Sequence, residues 1–297
     1  MSQNTVTVKL NGTQMESFSE MMEALGWKER QISNEYVEDS FSSPDGAVAT
    51  LYSSGKLVLQ GSIDFTQTIA YIKGGTENGQ DIVPHIGVDE VGKGDYFGPL
   101  VVVACFVDED FVEKISYLGF DDSKKFSDKK ILDLYARVKD YPYYYPIVLY
   151  PKIYNDLTNE YGNLSILLAK QHTQCIETAL EDLGKKDIEC KKVVIDQFSS
   201  SKHRILDELG PLGKYVDIEQ FHKGESDIAV AAASIIARGI FLEEFDRLRA
   251  KYDFNFPKGA SNVIRSGIDF VRIYGAEKLR DVAKVSFKTT KKILKLV

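Results

Sequence analysis

Asp89 and Glu90 are adjacent carboxylates closing the short run from Val83 to Val88. Two such charges repel each other and resist leaving water unless a cation compensates them, so the pair calls for a metal ion or an arginine. Neighbouring strand residues face opposite ways, so Asp89 reads as the direct ligand, with Glu90 able to join it only where the strand breaks toward Gly92. Solvated acids are the commoner reading of an Asp-Glu pair. Here, however, Gly92, Gly94 and Gly98 follow, and Pro99 opens a second apolar run, Leu100 to Val107. A dinucleotide-binding glycine loop must be followed by a helix, so that reading is rejected.

The same theme recurs in Lys192-Val-Val-Ile-Asp196, a short apolar strand ending in an acid that could converge with the first pair. A further acid, Glu225, stands just before Ile228 to Arg238, which is so rich in alanine and isoleucine that it reads as a buried helix. An acid there is often only a cap or dipole partner, and Asp227 competes with Glu225 for any ligand role. Asp121-Asp122-Ser123-Lys124-Lys125 forms a loop ahead of Ser127, a candidate helix cap, and lysines at that place suit an anion. His172 sits near an apolar helical stripe and reads as packed or hydrogen-bonded, neither base nor ligand.

These groups need a scaffold. Val6 to Leu10 alternates as a strand, and Thr13 with Glu16 forms a capping-box pattern before Phe18, Met21, Met22 and Leu25 at helical spacing, ended by Gly26. Ala47 to Tyr52 and Leu57 to Gln60 flank a hairpin turn that carries Lys56, and Ile63 to Ile72 reads as a helix. Residues 1–73 therefore form a small α+β domain, 74–82 a polar linker, and 83–297 the larger domain. In the larger domain Ile131, Leu134, Tyr135 and Val138 share a helix face, Tyr143 to Tyr150 reads as a strand, and Asn163 caps a long amphipathic helix.

At 297 residues, 43% apolar and 27% charged, the chain has an ordinary globular composition, and no apolar run approaches a membrane span. Three cysteines without ligand spacing read as buried, reduced thiols, and the expected location is the cytoplasm. The net charge of −7 is unevenly spread. From Lys251 to Val297 there are 11 basic and 4 acidic residues, a basic tail on an acidic body that suggests a polyanion partner.

Taken together, D-E-V-G-K-G-D-Y-F-G-P, D-S-K-K-F-S, V-V-I-D-Q-F and K-G-E-S-D-I-A-V-A-A-A-S-I-I-A-R closely resemble the type 2 ribonucleases H, and within them the ribonuclease HIII subfamily. The resemblance runs from Val83 to about Leu294. It implies an α/β fold, a ribonuclease H-like mixed sheet flanked by helices, and endonucleolytic cleavage of the RNA strand of RNA–DNA hybrids, leaving a 5′-phosphate and a 3′-hydroxyl. The N-terminal A-T-L-Y-S-S-G-K-L-V-L-Q-G resembles a half-repeat of the TATA-box-binding protein, which ribonuclease HIII carries as a substrate-binding domain. The glutamate at 225 also matches ribonuclease HIII, where ribonuclease HII has aspartate.

The resemblance assigns catalysis and metal binding to Asp89, Glu90, Asp196 and Glu225, holding two magnesium ions with manganese as a substitute. It assigns substrate contacts to Gly92, Lys93, Gly94, Ser123, Lys124, Lys258 and, in the N-terminal domain, Lys56. A hybrid duplex is the expected partner of a monomeric enzyme without membrane attachment. The rival readings are incision at single ribonucleotides in DNA, as in ribonuclease HII, a non-catalytic hybrid-binding protein, and a resolvase or integrase of the same fold.

Overall fold

The computed structural model describes residues 4–32, 34–72, 83–118, 120, 123–196, 203–221 and 224–297. The expected linker lies outside them, as do Asp122, Gln197, Phe198 and Lys223 of the four motifs and Asp121 beside them. Two compact units emerge, Met1–Ile82 with Asp110–Gly119, and Val83–Glu109 with Phe120–Val297. The segment 110–119 thus groups with the first unit, although it lies inside the stretch assigned to the larger domain from sequence.

The first unit contains β1 (Asn4–Lys9), α1 (Gly12–Glu16), α2 (Phe18–Ala24), β2 (Lys28–Glu29), β3 (Val37–Ser42), β4 (Val48–Tyr52), β5 (Lys56–Gly61), α3 (Thr66–Ile72) and, from Asp110 on, α4 (Glu109–Leu118). The strands form one antiparallel sheet in the order β1-β5-β4-β3-β2. Alternation turns Val8, Ala49, Leu51, Leu57 and Leu59 inward onto Phe18 and Met22, and leaves Thr7, Thr50, Lys56 and Gln60 on the other face. α1 opens with a capping box of its own: Asn11 Oδ1 accepts from the Gln14 amide at 2.9 Å while Gln14 Oε1 accepts from the Asn11 amide at 3.0 Å. The Thr13 side chain of the pair expected from sequence lies outside the described residues. β3 escaped sequence reading because V-E-D-S-F-S is mostly polar and a register shift between Val37 and Asp39 breaks its alternation.

The second unit is built on a mixed sheet of β6 (His85–Val91), β7 (Leu100–Val107), β8 (Tyr144–Leu149), β9 (Lys192–Asp196) and β10 (Asp217–Phe221), ordered β10-β9-β6-β7-β8. β6 runs antiparallel to β7 and parallel to β9. Its helices are α5 (Asp128–Val138), α6 (Pro151–Tyr161), α7 (Leu164–Lys185), α8 (His203–Glu208), α9 (Ile228–Tyr252), α10 (Ile264–Tyr274), α11 (Leu279–Val282) and α12 (Lys288–Leu296). Ser127 and Asn163 cap α5 and α7 as their sequences imply. α9 covers one face of the sheet and is buried along its first three turns, with Asp227 as its cap. The approach is so close that a Cβ on Gly87 would lie 2.1 Å from the Ala229 carbonyl carbon, so only glycine fits there. α7 covers the other face, where Ile86, Val88, Val102 and Ala104 meet Leu168, Cys175 and Ile176. All three cysteines are free. Cys105 and Cys175 are buried as expected, whereas Cys190 is only half-buried.

Candidate active site

Asp89 and Glu90 leave β6 on opposite faces, and each is held by the helix on its own side. Asp89 accepts a hydrogen bond from Ser234 on α9 and from the Glu90 amide at 2.7 Å. Glu90 Oε2 lies 3.2 Å from Nε2 of the fully buried His172 on α7, while Oε1 lies 3.5 Å from Lys93 Nζ. His172 is thus hydrogen-bonded, as its place on the stripe suggested, but its partner is one of the candidate catalytic acids. Both carboxylates nevertheless line one open cleft of about 420 Å³.

Asp196 enters the same cleft from the neighbouring strand. Val88 pairs with Ile195 in parallel register, so one further residue on each strand sets Asp89 beside Asp196. Asp196 Oδ1 accepts from the Gly224 amide at 2.9 Å, and a Cβ on Gly224 would lie 2.8 Å from the Asp196 Cα. The turn Gly224–Ser226 is therefore pressed against the end of β9, which brings the Glu225 backbone to the site. The Glu225 side chain lies outside the described residues.

Asp89 stands among acids that oppose its ionisation. Burial pushes the Asp89 carboxyl up to about 8, and the charges of Glu90 and Asp196 push the same way against the hydrogen bonds from Ser234 and the Glu90 amide. Among the described residues no three such groups already form a closed ligand cage. Clustered carboxylate oxygens are hard donors that fit divalent cations, which would relieve the repulsion at Asp89.

The opposite rim of the cleft is cationic and hydroxylic. Ser123 and Lys124 line it, and the buried Ser123 hydroxyl is engaged by Ser234 at 2.7 Å, which directs it toward the acids' own support. Lys258 also lines the cleft, held by Asp128, which binds Arg238 at 3.1 Å. These links keep the Asp128 carboxyl below the usual carboxylate range against the effect of burial. Sequence reading missed Asp128, Ser234 and Arg238. The signal was present in the last two, a serine and an arginine four residues apart in the otherwise apolar first three turns of α9, hence on one face.

Gly92 adopts φ +95°, and a Cβ there would lie 2.2 Å from the Pro99 carbonyl oxygen, so its glycine is obligatory. Gly94 faces open space in the cleft. Lys93 is partly exposed beside them. Lys56 belongs to the first unit, exposed at the start of β5.

The ribonuclease HII family model matches residues 86–290. Ribonuclease HIII of Protochlamydia amoebophila is 36% identical, over 85% of this chain and 85% of that protein. Ribonuclease HIII of Streptococcus pneumoniae is 34% identical, over 88% and 89% respectively. Among solved structures, Bst-RNase HIII in complex with Mn2+ superposes with a TM-score of 0.68 at 27% identity, covering 99% of both chains.

Proposed function

The chain belongs to the ribonuclease HII family, with ribonucleases HIII as relatives along most of its length, and we propose that it is an endoribonuclease hydrolysing the RNA strand of RNA–DNA hybrids. The observation that carries this reading is the convergence of Asp89, Glu90 and Asp196 at one end of the mixed sheet, opposite a cationic rim. The family and the Mn2+ complex of its relative point to divalent-metal dependence. Asp89, Glu90, Asp196 and Glu225 are the residues that would hold magnesium, or manganese in its place. When bound, the two ions lower the pKa of the attacking water and stabilise the leaving 3′-oxygen.

The chain's own residues do the rest. Ser234 and His172 hold the two adjacent carboxylates on opposite sides of β6, so that both reach the cleft in spite of the strand's alternation. The Gly224 amide aims Asp196. Gly92 to Gly94 let backbone approach the scissile phosphate and the neighbouring 2′-hydroxyls, the groups that distinguish an RNA strand. Lys93, Lys124, Arg238 and Lys258 supply positive charge along the backbone path. No side-chain nucleophile is required.

The open face of the first unit's sheet, with Lys56, takes the role of a substrate-binding surface. On this reading the protein acts as a monomer in the cytoplasm, where its three free cysteines would stay reduced; among the described residues no helix is long and apolar enough to cross a membrane. The test is incubation of an end-labelled RNA–DNA hybrid with the protein and magnesium. Internal RNA cuts bearing 5′-phosphate and 3′-hydroxyl ends are expected, with the DNA strand intact. Hybrid binding without cuts would leave only a binding protein.

A further inference from the structure

We propose that Lys284 is a positioning residue for the substrate-facing glycine loop, holding its backbone from behind. This inference rests on the reading of the cleft as a hybrid-cleaving site. Lys284 is fully buried, and the partners of its ammonium group are backbone carbonyls of one turn, those of Asp95 at 3.0 Å, Gly98 at 2.7 Å and Pro99 at 3.1 Å. An ammonium has three donors, and this turn supplies three acceptors. The Tyr154 ring lies 5.5 Å from the same nitrogen. Burial pushes the amine down to about 7 and only the charge of Asp95 pulls it back, so the group is held in place by its hydrogen bonds and not by an ion pair.

A cation without a hydrogen-bonded carboxylate is a costly way to fill a core, where an apolar side chain would do. What the lysine achieves is fixation of the chain between Gly92 and β7. Around it the segment Val282–Lys284 forms a short antiparallel ladder with Tyr96–Gly98, through Lys284 N to Tyr96 O at 2.8 Å and Gly98 N to Val282 O at 3.0 Å. The Asp95 carboxylate in turn accepts from the Gly259 amide at 2.6 Å, and the Tyr96 amide donates to the Gly259 carbonyl at 2.9 Å. The frame behind the glycines therefore also fixes the backbone next to Lys258 on the opposite rim. Asn155 secures the lysine's own segment, donating to the carbonyls of Arg280 and Ala283 and accepting from the Val285 amide. Lys284 does not itself line the cleft, and its link to it is the backbone of Asp95 rather than Asp89, Glu90 or Asp196. Its effect on the reaction passes through the loop, and so through substrate engagement ahead of metal binding.

The experiment compares the full-length protein with Lys284→Met and Lys284→Arg, measuring KM, kcat at saturating hybrid, and the magnesium concentration giving half-maximal rate. Lys284→Met should raise KM at least tenfold, change kcat less than threefold and leave the magnesium midpoint in place. Lys284→Arg, which keeps the charge and the donors, should recover most of KM. A folded Lys284→Met with wild-type KM, or one whose loss lies in the magnesium midpoint, overturns the inference. Should both variants fail to fold, Asn155→Ser decides it, since that change loosens the segment bearing the lysine and leaves the lysine in place. A KM rise with kcat retained then supports the role, and an unchanged KM refutes it. Failure of the wild-type protein to cut hybrids would sink the functional reading itself, an outcome distinct from any of these.

Discussion

Asp227 Oδ2 lies 3.0 Å from Nε2 of His85, and Oδ1 of the same carboxylate accepts from the amides of Ala229 at 2.9 Å and Val230 at 3.1 Å. His85 opens β6 and Asp89 stands four residues on, so this pair occupies the other end of the strand from the carboxylate cleft. Asp227 is thereby committed to capping α9 and to His85. On the reading we propose, Glu225, whose turn is pressed on Asp196, is the candidate for the fourth acid. Glu225→Gln should reduce hybrid cleavage by several orders of magnitude while Asp227→Asn stays within a fewfold of wild type, in parallel assays at saturating magnesium. The reverse pattern would move the ligand to Asp227.

The His85–Asp227 pair also sets a pH dependence of stability. Burial disfavours the imidazolium, but the facing carboxylate outweighs it and raises His85 above 6.5. Burial also disfavours the Asp227 carboxylate, but His85 and the two amides outweigh it and hold Asp227 below 3.8. A raised histidine contributes stability that is full below its unfolded value and is lost as pH climbs through the folded value. A lowered aspartate contributes above its unfolded value and loses it as pH falls through the folded one. The pair therefore acts fully between 3.8 and 6.5 and fades above. Because asparagine still caps a helix, Asp227→Asn isolates the ion pair, and should cost about 1–2 kcal/mol near the acid side of neutrality. Urea midpoints should show a clearly smaller cost at alkaline pH, and a cost constant with pH would remove the ion pair from the account.

Hybrid affinity should fall steeply with salt. About four phosphate contacts from the cleft's cations would lower binding roughly a hundredfold between 50 and 200 mM monovalent salt. Binding measured in calcium, to suppress turnover, gives the slope. A flat response would remove Lys93, Lys124, Arg238 and Lys258 from the phosphate path.

Much of the catalytic half was legible in the sequence because its acids terminate short apolar strands, a local pattern that survives folding. The rest depended on distant partners. Asp128 reaches Arg238 across 110 residues, and Ser123 reaches Ser234 across 111. The basic tail shows the limit of counting charge. Of its cations, Lys284 is buried, Lys258 binds Asp128, Arg280 binds Asp156 and Lys278 lies 3.5 Å from Asp281, so the sum read from sequence exceeds what faces solvent unpaired. Likewise β3 needed its neighbours to be a strand, since its own residues are mostly polar.

The first unit's open face should contribute to KM. That unit holds more acid than base within residues 1–73, so its affinity must come from local contacts rather than net charge. Truncation at Gly75 would remove most of the unit with which 110–119 groups, and Phe111, Val112 and Ile115 there are buried, so substitutions are the cleaner probe. Lys56→Glu combined with Thr50→Glu should raise KM at least fivefold with kcat within twofold. An unchanged KM would assign this face to some other partner.

If the cleft acids act through bound divalent ions, Asp89→Asn is the most direct test. The substitution removes charge at a place where burial and two neighbouring acids already oppose ionisation, so folding should not suffer. Hybrid binding in calcium should stay within a fewfold of wild type, while the single-turnover cleavage rate in magnesium falls by at least a thousandfold. An Asp89→Asn protein retaining a tenth of the wild-type rate would contradict the assignment.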